Sequence, residues 1–121
     1  MAATLFDRCG GFSTVRKIVS SFYDKVLDSE NLQGYFANAD MRRLIDHQTK
    51  FIAAVMDGPA SYTDEVLQRV HAPLNISHTD FLEMAELLRE TLEDHDFAPD
   101  DVRYVYERIL KREPYIVARR A

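Results

Sequence analysis

One histidine at the end of a short apolar helix is the residue best placed to do chemistry in this chain. Leu67 and His71 stand four residues apart, so they share one helix face. Pro73 lacks an N–H and crowds the preceding turn, so we expect the helix to end close to His71. The imidazole has two interpretations: a cation that suits the carbonyl end of a helix dipole, or a neutral nitrogen offered to a metal.

Two further polar side chains interrupt apolar helix faces. Gln48 continues the stripe that runs from Leu44 to Phe51. Burying its amide unpaired would cost about 1–3 kcal/mol, so we expect it to bond either a backbone carbonyl or a ligand. Tyr23 follows Phe22 at the edge of another helix face. Its hydroxyl either reaches water or, if buried, needs a partner.

The spacing of the histidines limits which metal or cofactor the chain could bind. His47 lies on the flank of the Gln48 stripe and, by itself, is typical of a histidine at a surface or a pocket rim. No histidine has a second histidine four residues away or a glutamate three residues before it, which argues against zinc and di-iron sites. One imidazole, one amide, one phenol and large apolar helix faces suit an apolar prosthetic group with one axial ligand, such as noncovalent haem. Periodicity alone does not choose haem over a plain helical core.

Length and composition predict a single globular domain, residues 1–121, with 46% hydrophobic and 29% charged residues. A net charge of −5 and the lack of a basic stripe argue against a nucleic-acid partner. The only cysteine, Cys9, fits a reducing compartment. The segment Met1–Arg8 has no signal-peptide pattern, and no apolar run is long enough for a membrane span. We therefore expect a cytoplasmic protein without a membrane partner.

Apolar residues recurring at spacings of three and four predict the helices that position these groups. The predicted helices are a short one before Gly10-Gly11, one over about residues 12–28, one from Met41 to Met56, one ending near His71, one from His78 to about His95 or Phe97, and a last one starting at Pro99. Asp40 is the expected N-cap of the third helix, and Pro114 is expected to kink or end the last one. No window shows strand alternation, so the predicted fold class is all-α.

Several short motifs stand in a characteristic order along the chain. They are Gly10-Gly11, Phe22-Tyr23-x-x-Val26-Leu27, Tyr35-Phe36, Asp40-Met41 followed by His47-Gln48 and Phe51, Gly58-Pro59 with Tyr62, and Val70-His71 followed by Leu74 and Ile76. Together they resemble the truncated haemoglobins, the two-over-two globins of the group I kind, over nearly the whole chain. The resemblance implies a two-over-two helical sandwich that encloses haem b.

The resemblance also implies a role for each matched residue. Phe36 would pack on the haem face, Tyr23 and Gln48 would be distal hydrogen-bonding groups, Leu44 would stand at the distal gate, and Phe51 would line the apolar pocket. Such donors to a partly negative bound ligand should slow its release.

The resemblance also implies roles for His71 and His47. His71 would be the proximal iron ligand. His47 occupies the position that some similar cyanobacterial globins use for a second axial ligand, so it is either a sixth ligand or a residue of the pocket rim. The last helix lacks histidine, so a covalent haem link is not expected. Asp57 stands where relatives often have a glycine, so the turn after the distal helix is expected to differ.

The implied function is reversible binding of O₂ and of other diatomic gases, CO and NO. NO dioxygenation is a further reaction that such a site would support, with a separate reductase because no flavin or NAD module is evident. A gas or redox sensor that acts through a partner protein is an alternative, although 121 residues leave no room for an output domain. A helical interaction module without a cofactor is a third class.

Overall fold

The computed structural model describes residues 3–119. The terminal residues Met1, Ala2, Arg120 and Ala121, which belong to the predicted domain 1–121, lie outside the described residues. The helices are α1 (Leu5–Cys9), α2 (Gly11–Asp28), α3 (Met41–Val55), α4 (Asp64–His71), α5 (His78–Asp94), α6 (Pro99–Leu110) and α7 (Glu113–Ile116). Two 3₁₀ turns (Gln33–Phe36 and Ala72–Leu74) and two short strands, β1 (Ile76–Ser77) and β2 (Val117–Arg119), complete the described chain.

Side-chain caps begin four of the seven helices within residues 3–119. The capping residues of α1, α3, α4 and α5 are Thr4, Asp40, Thr63 and Ser77. Each side chain accepts a hydrogen bond from the backbone N–H three residues later, which satisfies a donor that the helix itself leaves free. The prediction of Asp40 as an N-cap is therefore confirmed, and Pro99 is the first residue of α6, as the sequence indicated.

Two helix pairs form the body of the fold. α2 packs on α3, α5 packs on α6, and contacts between α2 and α5 join the two pairs. Buried aliphatic side chains such as Ile18, Val26, Leu92 and Val105 fill the space between them. This arrangement confirms the predicted all-α, two-over-two class, and its apolar interior is the main source of stability.

The turn between α1 and α2 needs both of its glycines. Gly10 has φ 119° and Gly11 has φ 76°, in the left-handed region that side chains with a Cβ rarely adopt. A Cβ on Gly10 would also stand 2.3 Å from the Oγ1 atom of Thr14. The expectation of unusual backbone angles at this glycine pair is confirmed.

The C-terminal segment departs from the prediction in two ways. α6 ends at Leu110, and Pro114 lies in the first turn of α7, where a missing N–H costs no hydrogen bond. The expectation that Pro114 kinks or ends the preceding helix is therefore wrong. In addition, β1 and β2 form a parallel pair in which Ile76 lies opposite Val117. Strands of two and three residues are too short to show alternation in a sequence.

Candidate functional site

A largely apolar cavity lies among α2, α3, α4, α5 and α6. It contains about 710 Å³ of space that no atom fills, a figure that includes its open mouth. Seventeen residues line it, and only Tyr23, Gln48 and His71 among them are polar. Few polar groups in an apolar cavity are typical of a site that orients one apolar ligand.

The structure brings most of the predicted site residues to this cavity. The lining includes Tyr23, Phe36, Leu44, Gln48, Phe51 and His71. His47 is exposed on α3 and does not belong to the lining. Its proposed part as a sixth ligand therefore stays a prediction.

The His71 imidazole is oriented by its own helix. Its Nδ1 atom lies 2.7 Å from the backbone carbonyl oxygen of Leu67, one turn earlier in α4. Because a carbonyl only accepts hydrogen bonds, Nδ1 is the nitrogen that carries the proton in the neutral ring. Nε2 is then left with a lone pair, which is the form that ligates a metal. α4 ends at His71, and Pro73 follows in the next 3₁₀ turn, as predicted.

The environment of His71 also favours the neutral ring. Burial lowers the pKa of this imidazole below its ordinary value, and the hydrogen bond to the Leu67 carbonyl opposes that shift only in part. A cationic imidazole cannot bind a metal, so burial prepares this side chain for ligation. The dipole-stabilised cation, which the sequence left as an alternative, is disfavoured.

The Tyr23 ring of α2 is buried among other aromatic rings. Its centroid lies 5.0 Å from that of Phe22 and 5.6 Å from that of Phe36, both in edge-to-face geometry. Burial, with a smaller contribution from Tyr62, raises the pKa of the Tyr23 hydroxyl far above its ordinary value, so the group stays protonated. No residue within 3–119 forms a hydrogen bond with this hydroxyl. It is therefore a free donor at the cavity.

The Gln48 amide is half-buried and lines the same cavity. The sequence left open whether it bonds a backbone carbonyl or a ligand. Within the described part of the chain no hydrogen bond to this amide is formed, so the side chain remains available to a ligand. Neighbouring positions of α3 explain why it faces inward, because Leu44 precedes it by one turn and Phe51 follows three residues later.

Sequence reasoning missed part of the cavity wall. Phe81, Met84, Ala85 and Leu88 of α5 line the cavity, but their spacing indicated only that this face is buried. The period of a helix identifies an inward face without telling whether that face meets another helix or an open space. Leu74 and Ile76, next to His71, complete the wall, and they belong to the motif that carried the family resemblance.

The turn after α3 is built around Asp57. This residue has φ 66°, the left-handed conformation that glycine adopts most easily. The Tyr104 hydroxyl donates a hydrogen bond to the Asp57 carboxylate, and the Arg108 guanidinium lies 3.6 Å from it. These contacts with α6 stabilise an aspartate where a glycine would suit the backbone better.

Two negative findings concern the described residues only. No helix within residues 3–119 is both long and apolar enough to cross a membrane. In the same range, no three His, Cys, Asp or Glu side chains come together as a group that could hold a bare metal ion.

The cavity residues fit a haem group. Haem needs an apolar slot for its macrocycle and at least one axial ligand for its iron. The cavity supplies fourteen apolar lining residues and a histidine whose Nδ1 is satisfied by a backbone carbonyl. The donor set is therefore that of a haem held by one imidazole, with Tyr23 and Gln48 available for a further ligand.

Comparison with known proteins agrees with this geometry. Residues 4–113 match the family model for bacterial-like globins. The chain is 36% identical over 90 residues to the group 1 truncated haemoglobin GlbN of Mycolicibacterium paratuberculosis, an alignment that covers 74% of this chain and 66% of that relative. It is 30% identical over 91 residues to the group 1 truncated haemoglobin of Tetrahymena pyriformis, with 75% of each chain covered.

Solved structures show the same fold. The two-over-two haemoglobin of a Synechococcus species, solved in the cyanomet state with covalently attached haem, superposes with a TM-score of 0.89 at 25% identity and covers 97% of this chain and 100% of that one. The THB1 protein of Chlamydomonas reinhardtii superposes with a TM-score of 0.80 at 28% identity, covering 96% and 98%. The chain therefore belongs to the bacterial-like globin family, with group 1 truncated haemoglobins among its relatives, and this membership supports haem-based binding of gases.

Proposed function

We propose that this chain binds haem b noncovalently and takes up O₂, CO and NO beside Tyr23 and Gln48. The observation that carries the proposal is that one apolar cavity holds a neutral imidazole with its Nδ1 already satisfied and two polar groups without a protein partner. When bound, haem would supply the iron that binds a diatomic gas. The His71 Nε2 atom is the group that would hold the metal.

The distal residues have separate parts in this proposal. The Tyr23 hydroxyl and the Gln48 amide N–H donate hydrogen bonds to a partly negative diatomic ligand. At about 1.4 kcal/mol for each, they slow its release roughly tenfold apiece. Phe36 would pack against the bound macrocycle, and its ring also contacts the ring of Tyr23. Leu44 stands at the distal entrance, one turn before Gln48, and Phe51 keeps the pocket apolar.

NO dioxygenation belongs to the same proposal. Tyr23 and Gln48 would hold O₂ in place while NO enters through the apolar cavity. Turnover needs electrons from a separate reductase, and the single cysteine fits a cytoplasmic, reducing setting. Rapid NO consumption that continues over many cycles with a reductase would support an enzyme. A partner affinity that changes with gas binding would instead support the sensor alternative.

His47 offers a separate test of the distal side. It lies one residue before Gln48 and is exposed, so a side-chain rotation toward the cavity would be needed for ligation. The sixth-ligand hypothesis predicts a low-spin spectrum for the resting protein, and a shift to high spin in His47→Ala. A high-spin spectrum in both oxidation states that His47→Ala leaves unaltered would place His47 at the rim.

The basic experiment is an ultraviolet–visible spectrum of the haem-supplemented protein in its ferric, ferrous and CO-bound forms. We expect a Soret band in all three forms and a shift on CO addition to the ferrous protein. Absence of a Soret band after haem supplementation would contradict the proposal and favour the cofactor-free interaction module.

A further inference from the structure

Three residues, two in α6 and one in the turn just after it, face the C-terminal half of α3 and the turn that follows α3. Tyr104, Arg108 and Arg112 recur every four residues, so they form one row on the helix and just beyond its end. The first two contact Asp57, as described above. Arg112 reaches Phe51, a residue of the cavity wall. The row therefore connects α6 to the distal side of the cavity.

The Arg112 guanidinium is held in place on two sides. Its Nη1 atom donates a hydrogen bond of 2.8 Å to the backbone carbonyl oxygen of Arg108. Its Cζ atom lies 5.9 Å from the centroid of the Phe51 ring, within the range of a cation–π contact. Burial lowers the pKa of Arg112, but a guanidinium remains charged at any physiological pH. A partly desolvated cation makes a stronger contact with a ring than an exposed one does.

The Phe51 ring is in turn fixed from a second direction. It is buried, and the ring of Tyr62 meets it edge to face at a centroid distance of 5.3 Å. Another side of Phe51 lines the cavity, three residues after Gln48 on the same face of α3. Displacement of this ring would therefore open space directly beside the Gln48 amide.

We propose that Arg112 is a positioning residue that holds the Phe51 ring at the cavity wall and thereby keeps the Gln48 amide in a single arrangement. Arg112 is not among the residues that line the cavity, so it acts through Phe51. The inference rests on the proposed function, because its readout is the ligand in the cavity.

The test is a double-mutant cycle with Arg112→Leu and Phe51→Leu, read on the ferrous CO form. The infrared C–O stretching band reports the number of distal arrangements. We expect one dominant band in the unmodified protein and additional bands in Arg112→Leu. The CO association rate should rise roughly threefold or more in Arg112→Leu. In the Phe51→Leu background, Arg112→Leu should have no further effect on either quantity.

Matched variants separate positioning from general destabilisation. Arg103→Leu removes an exposed arginine of α6 that is paired only with Asp100 within the described residues, and it should leave the bands and the rate unchanged. Arg112→Lys keeps a cation near the ring and should retain much of the single-band spectrum. This variant also tests the proposal if Arg112→Leu does not fold. Equal effects of Arg112→Leu with and without the Phe51 ring would overturn the proposal. A protein without any CO spectrum would instead contradict the haem proposal itself.

Discussion

The two polar sides of the cavity are organised in opposite ways. His71 has a protein partner, the Leu67 carbonyl in its own helix, and that bond selects the nitrogen left for a metal. Tyr23 and Gln48 come from two different helices, and no hydrogen bond to either side chain is formed within residues 3–119. The proximal group is thus oriented by local structure. The distal groups are oriented by tertiary packing and remain available to a ligand.

This difference between the two sides affects the free energy of the folded protein. A fully buried donor without a partner costs about 1–3 kcal/mol, and part of that cost applies to the Tyr23 hydroxyl and to the half-buried Gln48 amide, neither of which has a protein partner within residues 3–119. The aromatic contacts of Tyr23 with Phe22 and Phe36 hold the phenol in that unfavourable place. A ligand that accepts from both groups recovers the cost, which is why the distal side should control how long a gas stays bound.

The largest expected effect is at the distal side. Tyr23→Phe combined with Gln48→Leu should raise the O₂ dissociation rate roughly a hundredfold, at about tenfold for each lost hydrogen bond. Stopped-flow displacement of O₂ by CO measures this rate. Tyr106→Phe, which removes a hydroxyl bonded to Glu86 outside the cavity, is the matched control and should leave the rate unchanged. An unchanged rate in the double variant would refute the donor role of both residues.

A smaller effect should distinguish α4, which carries His71, from α3, which carries Gln48. Thr63 caps α4, which has 8 residues, and Asp40 caps α3, which has 15. Thr63→Ala and Asp40→Ala should each lower the free energy of unfolding by about 1 kcal/mol. Because α4 is too short to be stable by itself, only Thr63→Ala should also speed haem loss, by roughly fivefold. The measurement is haem transfer to an excess of a haem-free acceptor, and equal haem loss in the two variants would contradict the local orientation of His71.

The smallest effect concerns pH. Burial lowers the pKa of His71 in the folded state, so the unfolded chain takes up a proton more readily than the folded one. The stability contributed by the neutral ring is therefore present above about pH 6.5, the ordinary histidine pKa, and declines as the pH falls below it. The urea midpoint of the haem-free protein should decrease as the pH is lowered from 7.5 to 5. In His71→Gln this decrease should be smaller. A midpoint that rises toward low pH only while His71 is present would contradict the assignment of a neutral ring.

Local features of the chain were predictable, whereas contacts between distant segments were not. The stop at His71, the Asp40 cap and the Pro99 helix start depend on neighbouring residues, and all three are confirmed. Pro114 was misjudged because a proline suits the start of a helix as well as its end. The pairing of Ile76 with Val117 joins segments 41 positions apart and leaves no local signal.

The candidate site shows the same limit. Periodicity placed Gln48 and Phe51 on an inward face, and the family motifs indicated His71 and Tyr23 as partners in one pocket. The cation above the Phe51 ring was not anticipated, because Arg112 lies 61 positions away and its row on α6 resembles an ordinary solvated face. Tertiary packing decides which polar residue of a helix contacts another helix. The hydrophobic periodicity of either helix does not predict that packing.

The most direct measurement is a spectral titration of His71→Gly with haem, with and without added imidazole. If the iron is held through residue 71 alone on the proximal side, the variant should lose the spectrum of the imidazole-bound ferrous form and release haem far more readily. Free imidazole should enter the vacated space and restore that spectrum. Retention of haem with the same proximal ligand in His71→Gly, without added imidazole, would contradict the proposed site.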